Sequence, residues 1–486
     1  MDGFFLVVLI GYILSSLSLI PYPINLVYLA FKSRKWRNPI PKSIFTEENL
    51  PTVAIHLPVY NEQKVILTTL DSLLALDYPA DKLTLMLLDD STDETSAIID
   101  QYLADHQYSC TIEILRRGNR EGYKAGALAE ATLKTSAEFI AIFDADCKVP
   151  ANFFRDTIHF FSDSSISAIQ TRWEHSNLHY SLFTLAMSVG LDGHFLIEKE
   201  GRIRSNGFIA FNGTGGIWRR SSIIKAGNWS GRTLAEDLDI AFRSQLQSQK
   251  IQYVPQVTVL QEIAPTLTLW GIQQTRWSRG FAQNIRLHFK DVVTKKHSKS
   301  RFQGAIQLTA YLVPFFLFLN IIFGALLLFS PDYTSISSFL IVLNVSLAVV
   351  SISGLIVYSI AIRRAGRPLW HVILIPLFLF WGTSLLVRIF FGVVQGFLHY
   401  GGEFKRTPKF DLYQEESKKS YTRIKMPIDA TVFIEFIFLL FIGVAIIKTV
   451  ELGFQMILGT FFYSYVFLSM SLMFISNISH YFSSTK

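Results

Sequence analysis

Charge is scarce in this 486-residue chain: Asp, Glu, Lys and Arg make up 17% of it, against about a quarter in ordinary soluble domains. Cysteine is scarcer still. Cys110 and Cys147 are the only two, too few for a disulfide framework and without the spacing of a metal-binding set. No GxGxxG and no GxxxxGK[ST] occurs, so neither a dinucleotide-binding fold nor a P-loop is supported. Internal repeats and low-complexity tracts are also missing. What is abundant is apolar: half the residues are hydrophobic, 41 are Phe, and the mean hydropathy is +0.32. That excludes a disordered chain, a collagen-like chain and a simple soluble enzyme, and puts the apolar excess in a membrane. The basic excess (45 Lys+Arg against 38 Asp+Glu, net +7) clusters beside the apolar runs. This suits the anionic inner face of a bilayer, not a nucleic acid.

The uncharged runs divide the chain. Residues 3–31 carry no charge and are followed by Lys32, Arg34, Lys35 and Arg37. The run exceeds the ~20 residues that cross a bilayer, and its polarity is opposite to that of a signal peptide. It reads as an uncleaved anchor (1–35) with its N-terminus outside. Residues 45–300 have the composition of a cytosolic domain. The remainder, 301–486, alternates apolar runs with polar breaks, giving further spans at 306–330, 333–362, 430–447 and 452–475. Segment 368–402 has basic residues on both sides: Arg363, Arg364 and Arg367 before it, then Lys405, Arg406, Lys409, Lys418, Lys419, Arg423 and Lys425. Its 35 residues are too few for two spans and a turn, and Arg388 sits in its middle, so it reads as a re-entrant or interfacial helix pair. The alternative is one span with the basic loop outside. Glu435, inside an apolar run, faces a protein interior or pore, or else reaches water near its helix end.

In the polar region, apolar β-rich runs (Val53–Val59, Leu83–Leu88, Thr111–Leu115, Phe139–Phe143) alternate with helical patterns (Glu62–Leu76, Asp93–His106, Gly122–Leu133). Such alternation predicts a mostly parallel sheet covered on both faces. Ligands then bind beyond the carboxyl ends of the strands. After the first run stand Tyr60, Asn61 and Glu62; after the second, Asp89 and Asp90; after the fourth, Asp144-Ala145-Asp146. Acidic strand ends suit a hard divalent cation shared with phosphate. A cation at Asp146, with Asp144 turned toward a nucleotide, can take the charge that grows on a departing diphosphate; an acidic pair there can also simply cap the next helix. Phe211-Asn212-Gly213-Thr214-Gly215-Gly216 reads as a glycine-rich turn between a strand and Ile217-Trp218-Arg219-Arg220. Glu236, Asp237 and Asp239 open a helix: either they complement its dipole, or Asp237 is a general base for an acceptor hydroxyl. Gln273, Arg276 and Trp277 share one face of a helix over Thr266–His288. They offer a pyrophosphate grip and a sugar platform, or an amphipathic interfacial helix with an aromatic anchor.

Taken in order, these motifs resemble family 2 inverting glycosyltransferases of the cellulose-synthase-like type. The series is Asp90, the Lys124-Ala125-Gly126 segment, Asp144-Ala145-Asp146, Phe211-Asn212-Gly213-Thr214, Ala235-Glu236-Asp237 and Gln273-Gln274-Thr275-Arg276-Trp277. It is most similar to the plant mannan and glucan synthase-like branches. The resemblance implies an α/β nucleotide-sugar domain of GT-A type, with a mixed, mostly parallel sheet, joined to an α-helical transmembrane bundle. It further implies that Tyr60, Glu62 and Asp90 hold the nucleoside, that Lys124, Asp144 and Arg276 face the diphosphate, and that Asp146 binds Mg²⁺ or Mn²⁺. Asp237 is then the base, and Phe211, Asn212, Gly213, Thr214, Gln273 and Trp277 line the acceptor site. Phe404, Thr407 and Lys409 resemble a gating loop within 403–427, although Arg406 stands where the family has valine and Pro408 stiffens the turn. Ala235 replaces the family's threonine and leaves the acidic pair intact. The expected activity is inverting transfer of a hexose from a UDP-glucose or GDP-mannose type donor, building a β-linked polysaccharide at a plasma or Golgi membrane. The alternatives are single-sugar transfer to a membrane lipid and a nucleotide-sensing transporter.

Overall fold

A computed structural model describes residues 3–34, 41, 44–294, 301–331, 333–404, 406–411 and 429–482. Several basic residues of the topology argument, Lys35, Arg37, Lys405, Lys418, Lys419, Arg423 and Lys425, lie outside the described residues, as does 412–427 of the gating-like loop.

The chain starts with helices α1 (Gly3–Leu19) and α2 (Pro21–Lys32). Then come β1 (Val53–Val59), α3 (Ile66–Leu74), β2 (Leu83–Asp89), α4 (Thr95–Asp105), β3 (Thr111–Leu115), α5 (Tyr123–Lys134) and β4 (Phe139–Ile142). After α6 (Phe153–Thr157) and β5 (Ile166–His175), helix α7 (Leu182–Gly193) passes through a π-helical turn, His194–Lys199, into α8 (Glu200–Arg204). Strand β6 (Gly216–Arg219), α9 (Arg220–Lys225), α10 (Glu236–Leu246), β7 (Lys250–Gln261) and the 28-residue α11 (Leu267–Thr294) complete this part.

The seven strands form one mixed, mostly parallel sheet in the order β3-β2-β1-β4-β6-β5-β7, with β6 antiparallel to both neighbours. Side-chain alternation splits the core. Val53, Ile55, Leu57 and Val59 pack on one face with Leu70, Leu73 and Phe153. Ala54, Ile140 and Ile142 pack on the other with Leu128, Trp218 and Ile240. Because β1, β2 and β4 are parallel and paired, Val59, Asp89 and Ile142 end at a common edge. Gly216, the first residue of antiparallel β6, pairs with Ile142. The loop before β6 is thereby delivered to that same edge.

That loop is not, as expected, a turn following a strand: residues 207–212 carry no regular structure. It is irregular backbone whose polar groups go to buried side chains. Gln245 of α10 bonds both the N–H and the C=O of Ile209 at 2.8 Å. Lys199 donates to Ala210 O (2.8 Å), Gln170 accepts from Asn212 N (2.7 Å) and donates to Thr214 O (3.0 Å), and Lys124 donates to Gly213 O (2.9 Å). These side-chain bonds replace a ladder, because buried backbone groups must be satisfied by something.

Beyond α11 lie α12 (Arg301–Leu308), α13 (Leu312–Leu327), α14 (Tyr333–Arg364), α15 (Leu374–Ser384), α16 (Leu386–Leu398), α17 (Ala430–Glu451) and α18 (Ile457–Tyr481). Among the described residues, three helical stretches are long and apolar enough to cross a membrane: Gly3–Lys32, Ala430–Glu451 and Ile457–Tyr481. Two helix pairs are sharply bent, α12 with α13 by 62° and Leu369–Ser384 with α16 by 52°. Helix α1 packs on α13, α17 on α18, and α16 on α11. Glu435 is fully buried and accepts from Arg388 Nε and Asn477 Nδ2, both at 2.8 Å. It thereby ties α16, α17 and α18 together.

Candidate active site

At the shared strand edge, β1 runs into Tyr60 and Glu62, β2 into Asp90, and β4 into Asp144 and Asp146. Arg117 grips the Asp90 carboxylate through Nε (2.9 Å) and Nη2 and also donates to Tyr123 O (3.0 Å). Arg120 stacks 3.3 Å from the centre of the Tyr60 ring, a cation–π contact. Burial pushes Glu62 up to about 8, against the pull of Arg406.

Lys124 lies in the first turn of α5 and bridges Asp144 and Gly213 O. Burial opposes its charge, but Asp144, Glu236 and Asp237 outweigh it and raise the ammonium above its ordinary value. The Thr214 hydroxyl accepts from Asp144 N at 2.8 Å, so the loop before β6 also sets the strand-end carboxylate. Asp237, in the first turn of α10, is half-buried and sits against the loop. A Cβ placed on Gly213 would lie 3.0 Å from Asp237 Oδ2 and 3.4 Å from Lys124 Nζ. With φ at +75°, that position has neither the room nor the backbone freedom for another residue. Burial and the adjacent Glu236 push Asp237 up to about 7, while Lys124, the Leu238 N–H and Arg276 pull it down. A carboxylate held near neutrality is suited to taking a proton at physiological pH.

Residues 401–404 and 406–411 lie across this edge. Phe404 packs under the Arg276 guanidinium (4.3 Å) and beside Tyr123 (6.5 Å). Arg406 Nη1 donates to Tyr60 O at 2.9 Å and stands 3.5 Å from Glu62 Oε2; this departure from the family's valine has a definite set of partners. Lys409 Nζ reaches Asp146 Oδ2 and Glu262 O, each at 2.7 Å. Asp411 accepts from Thr68 of α3 (2.8 Å). Thr407 is buried with the segment.

A lysine ammonium against Asp146 shows that this carboxylate is placed to hold a cation. A single acidic ligand with an adjoining Asp144 fits Mg²⁺ or Mn²⁺, which take one or two carboxylates and complete their shell with water and substrate phosphate. Among the described residues, the one group of three ligand types within 4.8 Å is Glu174, His175 and Asp192. Its carboxylates are already bonded by Arg172 and Arg367, which makes it an ion-pair network.

Contacts join the site residues in local groups: Tyr60 and Glu62 through Arg406; Asp90, Arg117, Tyr123, Phe404 and Arg276 in turn; Lys124, Asp144, Gly213 and Thr214 with Asp237 against them; and Asp146 with Lys409. Phe211 is buried edge-on against Trp218, in the core behind the loop. Asn212 is fixed through its backbone. Gln273 and Trp277 are half-buried on α11 beside Arg276. Among the described residues neither hydrogen-bonds to the groups above.

Residues 51–280 match the family described as Glycosyltransferase like family 2. The α/β domain belongs to glycosyltransferase family 2. Over 254 residues the chain is 37% identical to glucomannan 4-beta-mannosyltransferase 1 of Oryza sativa subsp. japonica, covering 51% of this chain and 48% of that protein. Over 255 residues it is 37% identical to glucomannan 4-beta-mannosyltransferase 2 of Arabidopsis thaliana, again 51% and 48%. The chain spans about half the length of these curated relatives. Its fold is shared with a mannosyltransferase of Pyrobaculum calidifontis solved with GDP-Man and Mn²⁺ (TM-score 0.50, 19% identity, 71% of this chain and 96% of that one).

In the glycosyltransferase domain, sequence reasoning missed Arg117, Arg120, Gln170, Lys199 and Gln245. For Arg117 the signal was present: it follows the third apolar run, Thr111–Leu115, where the strand-end rule directs the search.

Proposed function

We propose that this chain is a membrane-embedded inverting hexosyltransferase that builds β-linked glycan on the cytosolic face, with mannose as the transferred sugar. The mannosyl reading rests on the names of the relatives. The inverting reading rests on the family resemblance and on one observation: the Asp237 carboxylate lies against the Gly213 turn on the same side as the Lys124 ammonium, which pairs with Asp144.

In this reading the acceptor hydroxyl gives its proton to an Asp237 oxygen. The hydroxyl oxygen bonds to the anomeric carbon as the bond from that carbon to the diphosphate oxygen breaks. The nucleoside diphosphate leaves with the electron pair. Lys124 and Arg276 bring positive charge to the departing diphosphate. Asp146, with Asp144 beside it, would hold a divalent cation that supplies further Lewis-acid charge to the β-phosphate. Tyr60, Asp90 and the arginines around them face the nucleoside. Attack opposite the leaving group turns an α-linked donor into a β-linked product with no covalent enzyme intermediate. The apolar helices anchor the domain beside the bilayer and offer a route for the growing chain.

The test is a donor screen on membranes with GDP-mannose and UDP-glucose, each with Mg²⁺ or Mn²⁺, followed by linkage analysis and lipid extraction of the product. A β-linked chain that stays out of the lipid phase supports the proposal. Strictly single additions to a lipid, or full transfer by Asp237→Asn, overturn it.

A further inference from the structure

Where α16 ends against α11, arginines gather without a counter-charge. Arg279 and Arg286 share the face of α11 that carries Arg276, and Arg232 lies in the loop before α10. Residues 399–404, which follow α16, run along that face. Gln283 Nε2 donates to His399 O (2.9 Å) and Gly401 O (2.7 Å), and Gly401 N donates to Arg232 O (2.7 Å). The Arg286 guanidinium is stacked 3.7 Å from the centre of the Tyr400 ring, and that of Arg232 lies 6.0 Å from the same centre. Gly402, at φ +127°, lets the backbone lie directly on the Arg279 guanidinium, where a side chain would collide with it. Among the described residues these three guanidiniums make no ion pair and donate no hydrogen bond, and Arg279 Nε is buried without a partner. The acids on the same two segments, Asp291 and Glu403, are exposed and form no ion pair with them.

Bare apolar side chains stand next to this cluster on both segments. Phe397 and Leu398, at the end of α16, are 39% and 66% exposed, Tyr400 is 47% exposed, and Phe289, one turn beyond Arg286 on α11, is 38% exposed. Arg232, Arg286 and Lys290 are exposed as well. A soluble phosphate or nucleotide has no use for phenylalanine and leucine in water. A phospholipid offers both partners at once, acyl chains for the apolar residues and a phosphate for the guanidiniums. Stacking on a ring uses the face of a guanidinium and leaves its N–H edge for phosphate oxygens. Helix α16 packs on α11 and on α13 of the apolar bundle, so the cluster lies at the boundary between that bundle and the α/β domain.

We propose that Arg232, Arg286 and Tyr400 form a binding site for the phosphate of an anionic phospholipid, and that its occupation fixes the chain leading to Phe404. The proposal rests on the reading of the apolar helices as membrane-embedded. Phe397, Leu398 and Phe289 then dip into the acyl boundary. The coupling follows from connectivity. Tyr400 is four residues before Phe404, which packs under Arg276 at 4.3 Å. Between them, Gly401 and Gly402 are held by Gln283, the Arg232 carbonyl and Arg279. A phosphate that draws Arg232 and Arg286 together over Tyr400 clamps this stretch from the loop before α10 and from α11 at once. The lipid is thus an activator that takes no part in the transfer itself.

The experiment has two readouts on the full chain. The first is the thermal midpoint in neutral detergent, titrated with phosphatidylglycerol, phosphatidylcholine or inorganic phosphate. The second is the rate of sugar transfer in phosphatidylcholine nanodiscs with and without phosphatidylglycerol. Wild type is compared with Arg232→Gln, Arg286→Gln, the double variant, and Arg363→Gln as control, an exposed arginine at the end of α14. Phosphatidylglycerol is expected to raise both the midpoint and the rate of wild type. Each basic residue at an anionic surface is worth about fivefold in affinity, so the double variant should need about 10- to 30-fold more phosphatidylglycerol for the same shift. Arg363→Gln should behave as wild type. An unchanged titration in the double variant, or an equal loss in Arg363→Gln, overturns the site. The same shift with inorganic phosphate overturns the lipid assignment. Equal rates with and without phosphatidylglycerol, despite a midpoint shift, overturn the coupling to Phe404. If the double variant fails to fold, the single variants decide. Absence of transfer by wild type in every bilayer fails the transferase reading instead, and the midpoint titration still decides the site.

Discussion

The close seam between α11 and α16 gives the sharpest prediction. Gly392 and Gly396 lie one turn apart on α16 and face α11, the helix that carries Arg276 and Trp277. A Cβ built on Gly396 would lie 2.4 Å from Arg279 O and 2.6 Å from Ala282 Cβ, whereas ordinary contact begins near 3.4 Å. Gly396→Ala must therefore push the two helices apart by about 1 Å, because the nearer obstacle is backbone and cannot swing away. Overpacking on this scale costs about 1–3 kcal/mol. A displacement of about 1 Å in a substrate-holding group can lower a rate by about 100-fold. We expect Gly396→Ala to fold with a lowered thermal midpoint and to lose about 10- to 100-fold in kcat, although residue 396 touches none of the site's charged groups. The assay is initial-rate sugar transfer by purified protein in detergent, with Gly382→Ala on α15 as control; a Cβ there meets nothing within 4 Å. Wild-type kcat in Gly396→Ala, or an equal loss in Gly382→Ala, would refute the argument that this seam sets the position of α11.

Asp237→Asn removes the proton acceptor and should lower kcat by about 10²- to 10⁴-fold with donor affinity little changed, read by kinetics and nucleotide titration. Because burial holds the Asp237 carboxyl near 7 and a base acts only when ionised, kcat/KM should climb with pH through about 7 and then level off; a flat profile across that range argues against this base. Lys409 competes with any divalent cation for Asp146. Lys409→Met should therefore tighten Mn²⁺ binding by on the order of tenfold, measured by electron paramagnetic resonance without donor, and unchanged binding places the metal elsewhere. Glu435→Gln leaves Arg388 buried with, among the described residues, only the Asp429 carboxylate as counter-ion, at 3.6 Å, a loss of about 3–5 kcal/mol. The double variant Arg388→Met/Glu435→Met should melt above Glu435→Gln in the same detergent.

The strands most legible in the sequence include a buried one, β1, and a largely exposed edge strand, β3. Val53–Val59 and Thr111–Leu115 match β1 and β3 residue for residue, because short apolar β-rich runs bounded by polar residues leave few other solutions. Strands β5 and β7 went unread. They interleave Gln, Thr, Arg and Glu, and their pairing shifts register twice, so no clean period of two survives. The strand expected before the Phe211–Gly216 turn does not form, because Gln245, Lys199 and Gln170 take the bonds a neighbouring strand would have taken. Lys199 was hidden for a related reason. In Glu198-Lys199-Glu200-Gly201-Arg202 it resembles a solvated charge run, but Lys199 to Arg202 are all buried. The strand-end acids were legible because a parallel sheet gathers its carboxyl ends. Arg117 stands at a strand end and Lys409 in the gating-like loop, but which acids Arg117, Arg406 and Lys409 pair with was not legible, since ion pairing across long sequence separations leaves no local signature.

The α11–α16 seam makes the two halves of the chain a single mechanical object. The helix that presents Arg276 has one flank in the α/β domain and the other pressed on a helix of the apolar bundle, which Arg388 and Glu435 fasten to the last two helices. Cutting the chain after α11 would strip that helix of half its bearing surface, so the excised domain is expected to bind nucleotide better than it turns over. A transplant of this domain onto a foreign membrane module would have to carry a matching pair of small residues, spaced four apart, to meet it.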